Sequence, residues 1–454
     1  MGRPKRADIL MAHPERGLFK LGLPITVGML AQTLFNIVDT IFVGRLGADA
    51  IAAVTIVFPI AFIIIAIGSG IGVGTTSLVA RTVGAKDRRA GLVVSNAIAL
   101  SLLTSVFITI TGLLANRFLF VSMGVGGEVL EMAVSYINII FSGMVFMLFA
   151  MICSAILRGE GNAKTPMKVM ITSAVLNIIL DPVFIYVLGY GVSGAAIATV
   201  IARTVGSLIM FHVFFVKKST DVPVSFKGFR FDAGIIKDIF RVGLPASFSQ
   251  ILMSSGMLIL NFFLVPFGSV AVAAFGLGFR IDMLVQMPVI GISSGLVTMV
   301  GMFVGAKNFK RARWVTNYAM KVSIFIMSAV GILFFVIAEY LMMIFTSDAH
   351  VIALGAQYVR IVVLSYPFIA ISMMVYSSFQ GAGRGMPSLV LTFFRTILLS
   401  APLAYIFAFV YGMGPVGVWV GIASSSFLSA LAALIWYVCT HYEKCRTEHT
   451  AYPM

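Results

Sequence analysis

Two carboxylates stand where carboxylates are costly. Asp39 lies inside the apolar run Leu18–Val43, and Asp181 lies inside the run that contains NIILDPVFIY at 177–186. An acid within a membrane-spanning helix costs about 2.5–3.5 kcal/mol on insertion scales, so each marks a candidate functional site. Gln32, Asn36 and Asp39 recur at spacings of four and three, which puts them on one helical face directed at a cavity. Asn177 precedes Asp181 by one turn on its own helix and offers an amide beside the acid. Thr199, one run further on, is a candidate hydroxyl. Two carboxylates approaching in a low-dielectric cavity cannot cheaply both ionise, so they hold a proton at raised affinity or bind a cation. Oxygen ligands of this kind suit a hard ion. This chemistry requires the runs carrying Asp39, Asp181 and Thr199 to converge, which is an expectation about the fold.

The composition supplies the elements that would do the positioning. The chain has 454 residues, of which 60% are hydrophobic and 11% charged, with a mean hydropathy of +1.04. Twelve apolar runs of about 20 residues, separated by short charged or Gly-rich breaks, predict an all-α protein of twelve transmembrane helices. The formal charge of +15 sits mostly on alternate breaks, among them Arg81–Arg89, Arg158–Lys168, Lys217–Arg241 and Lys307–Arg313. The positive-inside rule makes that side cytoplasmic, with both termini inside a multi-pass plasma-membrane protein and no role in binding nucleic acid. The N-terminal stretch has no cleavage-site pattern and the first run is expected to be retained. Cys153, Cys439 and Cys445 make neither a disulfide framework nor a metal site. No His–carboxylate pair, Ser–His arrangement or ligand cluster lies within the runs, which argues against an enzyme.

The chain repeats itself. LFKLGLP at 18–24 returns as IFRVGLP at 239–245, and VGAK at 83–86 returns at 304–307, both at an offset of 221. GEGNAKTP at 159–166 is echoed by GAGRGMP at 381–387, and DPVFIY at 181–186 by APLAYI at 401–406. Six runs separate the copies, so the halves are parallel repeats about an axis along the membrane normal, an architecture of secondary transporters. The expected division is an N-lobe at 1–216, a cytoplasmic connection at 217–241 containing Pro223, and a C-lobe at 242–454. The repeat fails where the acids stand: Leu260 matches Asp39 and Ala401 matches Asp181. Among the prolines within runs, Pro24 stands out because it shares a helix with Asp39. The series Gly68, Gly70, Gly72, Gly74 and the pair Gly291, Gly295 read as close helix packing. Arg203, Arg280, Asp282, Arg360 and Arg395 lie in or near runs, and Arg280 with Asp282 read as interface anchors.

These residues carry a resemblance. GLPITVGMLAQTLFNIVDTIFVGRLG, the VGAKD and VGAKN breaks, RGEGNAKTP with QGAGRGMP, and NIILDPVFIY resemble the multidrug and toxic compound extrusion (MATE) transporters of the multidrug/oligosaccharidyl-lipid/polysaccharide flippase superfamily, most closely the DinF-type branch. The resemblance implies a two-lobed exporter that exchanges external H⁺ or Na⁺ for organic, often cationic, compounds by alternating access. It needs no cofactor besides that ion and is expected to work as a monomer among membrane lipids. The branch's cation site falls on Asp39, Asn177, Asp181 and Thr199, its substrate cavity on Gln32, Phe35 and Asn36, and its proposed hinge on Pro24. The acids that other branches place on the seventh and tenth helices are missing between 245 and 265 and between 358 and 380. A lipid-linked precursor flippase of the same superfamily is the alternative, and it would need a strongly cationic cavity to grip a pyrophosphate.

Overall fold

A computed structural model describes residues 6–222, 224 and 229–448, without the side chains beyond 439; Pro223 and the side chain of Cys445 lie outside the described residues. The helices are α1 (Arg6–Ala12), α2 (Pro14–Gly44), α3 (Ala48–Gly84), α4 (Ala90–Ser122), α5 (Gly127–Ser142), α6 (Met144–Gly159), α7 (Lys164–Pro182), α8 (Gly191–Phe211) and α9 (Ala233–Leu264). They continue as α10 (Ser269–Gly305), α11 (Phe309–Val336), α12 (Ala338–Met343), α13 (Ala349–Val362), α14 (Tyr366–Gly381), α15 (Met386–Phe393), α16 (Ala401–Tyr405) and α17 (Pro415–Glu448). Among the described residues there is no strand. Eleven spans are long and apolar enough to cross a membrane, and α5 with α6, bent by 50° at Gly143, makes the twelfth. Gly143 stands at that bend because a Cβ there would run into Val200. The architecture is therefore two six-helix lobes related by a parallel repeat.

The repeat is also what joins the lobes. α2 packs along α10, and its counterpart α9 packs along α3. Gly22 lies so close to the backbone of α10 that a Cβ would come within 3.2 Å of the Ile292 Cα, and one on Gly243 would come within 3.4 Å of the Ile71 Cα. Gly295 faces the Leu18 carbonyl as Gly74 faces that of Ile239. Added Cβ atoms on Gly84 and Gly305 would collide with the carbonyls of Met302 and Arg81 respectively. Every pair maps onto its partner at the offset of 221, so the contact is self-complementary in the manner of a two-fold dimer interface. Hydrogen bonds obey the same symmetry: Ser77 Oγ donates to the Gln380 carbonyl at 2.5 Å and Thr298 Oγ1 to that of Arg158 at 3.1 Å. These contacts lie between the midplane and the basic end of the bundle. The recurring VGAK now has a reason, since its glycine admits the other lobe and its lysine ends the helix. Lys86 and Lys307 sit at φ 54° and 57°, with Asp87 N–H and Asn308 N–H bonding back five residues to Thr82 and Phe303.

A second asymmetry sits at the basic end. Glu160, which follows α6 and is matched by Ala382 in the repeat, is fully buried. Its two oxygens accept the backbone N–H groups of Asp221 and Val222 at 3.0 and 3.2 Å, which docks the connection between the lobes onto the N-lobe. The connection's final residues, from Ala233 on, are already the first turns of α9, which Asp232 caps by accepting from Gly234 and Ile235. α1 bridges the lobes at this end: Asp8 pairs with Lys86 at 3.3 Å, and Arg311 donates to the Met11 carbonyl at 2.9 Å.

Replacing Gly84 or Gly305 with Val will push the lobes apart at the basic end, an overpacking cost of about 1–3 kcal/mol. A cysteine placed at Ser77, buried in the parent, will then react faster with a soluble thiol reagent, and unchanged labelling would show that the contact is not what closes this end. Glu160 generates a pH dependence. Burial pushes its carboxyl up to about 8 against the opposing pull of the two backbone N–H bonds. The folded state therefore holds a proton that the unfolded chain releases, so the contribution is complete at acid pH and is lost as pH rises through about 8. The Tm of the parent will fall more steeply between pH 6 and pH 9 than that of Glu160→Gln, and equal slopes would contradict the assignment.

Candidate functional site

α2 packs along α7, and α7 along α8, which brings together the spans that carry the sequence-derived residues. Asn177 and Asp181 are buried on α7, at 2% and 0% exposure. The Asn177 Nδ2 donates to Asp181 Oδ1 at 3.1 Å and to Thr199 Oγ1 on α8 at 3.3 Å. Across from them on α2, Asp39 is within electrostatic reach of Asp181, and both acids are within reach of Tyr136 on α5. Having spent its donors, the amide leaves its oxygen unpaired. Asp39 Oδ1, Asn177 Oδ1 and Asp181 Oδ2 are all buried without a hydrogen-bond partner among the described residues. Buried polar atoms without partners cost free energy, and here every one is an acceptor. A proton or a hard cation is the complement of such a set.

The local sequence explains the shape. Pro182 directly follows Asp181 and has no N–H to give the helix ladder, and the chain passes into a turn of π-helix at Val183–Val187. Tyr186 in that turn donates its hydroxyl to the Phe42 carbonyl at 2.7 Å and ties the end of span five to α2 three residues beyond Asp39. Val43, Ala50, Ile185, Val192 and Ala195, with Tyr136 packed against them, form an apolar cluster at the end of the bundle away from the basic turns. The acids thus lie beneath an apolar cover.

Toward the basic end, Gln32 and Phe35 line a recess with Asn177, Thr199 and Arg203. Asn36 is exposed and not among the recess-lining residues, although Gln32 Nε2 approaches its Oδ1 at 3.4 Å. Pro24 is remote from this site. It is buried in an unbroken α2, flanked by Gly22 and Thr26, which touch Gly291 and Ile292 of the other lobe.

One acid is not where the sequence reading put it. Asp282 is no interface anchor but is buried within the C-lobe, where its two oxygens accept the hydroxyls of Tyr358 and Tyr366, each at 2.6 Å. Tyr358 is in turn packed edge-on against Phe275 and Trp419. The repeat held the signal, since the position matching Asp282 is Ala61. The tyrosine partners lie on another span and could not be read from spacing. Tyr136 was likewise missed. Among the described residues no group of three or more His, Cys, Asp or Glu side chains is assembled for a metal.

Twin lobes, glycine-lined contact between them and a polar pocket within one of them define a secondary-transporter fold. A family model described as MatE matches the chain twice, over residues 24–183 and 245–406, and the chain belongs to that family. It is a membrane transporter and not an enzyme. It is 28% identical over 442 residues to the probable multidrug resistance protein NorM of Thermotoga maritima, covering 95% of this chain and 93% of that protein. A solved outward-facing multidrug resistance MATE transporter is 36% identical with a TM-score of 0.94, covering 98% of this chain and all of the other. A Pyrococcus furiosus transporter of the same superfamily, described as having a binding pocket of reverse polarity that suggests a different function, is also 36% identical with a TM-score of 0.93 over 98% of this chain.

Proposed function

We propose that this protein is a cation-coupled multidrug exporter. It exchanges H⁺ or Na⁺ from outside the cell for organic, often cationic, compounds by alternating access. The observation that supports this reading best is the set of three buried acceptors, Asp39 Oδ1, Asn177 Oδ1 and Asp181 Oδ2, that no donor among the described residues meets. A cation arriving there supplies the missing charge, and with Thr199 Oγ1 the four residues offer a small oxygen cage. The protein sits in the plasma membrane as a monomer with both termini and the basic turns in the cytoplasm, so the glycine-closed end is the cytoplasmic one. The lobes are residues 1–216 and 242–454, joined by 217–241. Compounds enter the recess lined by Gln32 and Phe35, with Asn36 at its margin, and Pro24, placed between two lobe contacts, is the point at which α2 bends.

Binding energy of this kind drives a change only if the two states differ in affinity for the ion. They do when closing the cover over Asp39 and Asp181 strips water from both, since desolvation favours the cation-bound form. A flippase for a lipid-linked pyrophosphate calls for a strongly cationic cavity, and the recess is lined by a single arginine, Arg203.

Reconstituted in liposomes, the protein will export a cationic dye under an imposed pH or Na⁺ gradient, and Asp39→Asn and Asp181→Asn will each lower that rate at least about tenfold, as expected when a charge-assisted interaction is lost. Wild-type rates in both variants would sink the coupling assignment.

A further inference from the structure

The polar groups on three neighbouring spans of the N-lobe, α2, α7 and α8, are sorted by charge along the membrane normal. α8 runs antiparallel to α2 and α7. On α2 the order from the basic end is Gln32, Asn36, Asp39; on α7 it is Ser173, Asn177, Asp181; on α8, read in reverse, it is Arg203 and then Thr199. A guanidinium and an amide therefore form the inner level, amides and a hydroxyl the middle one, and two carboxylates the outer one. Seven residues of helix separate Gln32 from Asp39, which places the guanidinium level about 10 Å from the carboxylates.

Arg203 is held but not neutralised. Its Nη2 donates to Gln32 Oε1 at 2.9 Å, and among the described residues it makes no ion pair with a carboxylate. A guanidinium has five N–H donors, so most of them remain for something else. Its side chain lines the recess together with Phe35, Asn177 and Thr199. Span twelve repeats span six, with Gly189, Gly191 and Gly194 matched by Gly412, Gly414 and Gly417 at an offset of 223. Arg203 is then matched by Ser426, and Thr199 by Ile422. The guanidinium is thus confined to the same lobe as the two acids, in a recess whose lining residue Asn177 bonds Asp181, and the repeated scaffold stands without it.

We propose that Arg203 determines substrate choice by gripping an anionic group of the transported compound, so that the recess selects zwitterionic amphiphiles. The carboxylate or sulfonate of such a molecule accepts from the free edge of the guanidinium. Its aromatic body lies against Phe35, and its cationic end points toward Asp39 and Asp181. Planar, bidentate recognition of a carboxylate is the task for which a guanidinium is built and an ammonium is not. A purely cationic compound meets Arg203 as a like charge and loses that contact. The arrangement also makes exchange direct, since the cationic end of the substrate and the coupling cation compete for the same acids. This inference rests on the export reading above and names the substrate class for it.

The test uses two dyes that differ in one group: rhodamine B, which has a free carboxylate, and rhodamine B ethyl ester, in which it is masked. Gradient-driven export of each is measured with the full-length protein in liposomes, for the wild type, Arg203→Gln and Arg203→Lys, with thermal melting of each variant as the folding control. The wild type will export the free acid faster than the ester at equal concentration. In Arg203→Gln the ratio of acid to ester transport will fall about tenfold, whatever happens to the absolute rates, and Arg203→Lys will restore it only in part. A wild type that shows no preference or favours the ester overturns the proposal without any variant having to fold, and so does an unchanged ratio in Arg203→Gln. A wild type that exports neither dye under any gradient overturns the export reading itself.

Discussion

The structure turns on an imbalance of donors and acceptors inside one lobe. In the C-lobe the buried carboxylate of Asp282 receives a tyrosine hydroxyl on each oxygen and is satisfied by the protein alone. In the N-lobe, Asp39, Asn177 and Asp181 present buried oxygens that no donor among the described residues meets. An unmet buried acceptor costs about 1–3 kcal/mol, and more when it carries charge. On the export reading, a cation from outside the fold completes the set. The contrast between the lobes matters more than the presence of acids in either, because the same scaffold has solved the same problem once by itself and once by leaving it open.

The lobes meet in a way that suits a moving pair of rigid bodies. Their contact is backbone against backbone at matched glycines, supported by two symmetric hydroxyl–carbonyl bonds, with Gln250 reaching Ser69 at 3.1 Å near the midplane. Such a surface is held by dispersion forces and shape rather than by charge. The ion pairs at this end, Asp8 with Lys86 and Arg6 with Asp221, tie α1 to the turn after α3 and to the connection and are partly exposed, where ion pairs contribute little. Symmetry therefore governs the contact between the lobes, and asymmetry governs the candidate cation site. Coupling between them follows if the occupancy of Asp39 and Asp181 changes how α2 lies against α10, since α2 carries both Asp39 and the Gly22 contact.

Much of this was legible in the sequence because its signals are periodic. Hydropathy marked the spans, and the repeat, at an offset of 221 near Asp39 and 220 near Asp181, marked both acids by its failures. The one-turn spacing of Asn177 and Asp181 foretold their hydrogen bond. Other features are not periodic and were out of reach. That Gly70 and Gly291 pack closely could be read from composition, but not that their partners are Gly243 and Gly22 in the opposite lobe. Asp282 was misread as an anchor because its tyrosines are contributed by a span some eighty residues away along the chain. The fourth span reads as one apolar run, yet it breaks at Gly143 because Val200 leaves no room for a side chain there. Arg203 was visible only as one arginine among several. Its meaning depends on Gln32, more than 160 residues earlier.

The central claim is that the N-lobe acids carry a cation which the transported compound displaces. The most direct test counts protons released into weakly buffered solution when a transported dye, or Na⁺, is added to the purified protein in nanodiscs at neutral pH. The account predicts release from the wild type, with the dye and Na⁺ each suppressing the release caused by the other, and no release from the Asp39→Asn/Asp181→Asn double variant. Equal release from that variant would place the exchangeable cation elsewhere and contradict the account.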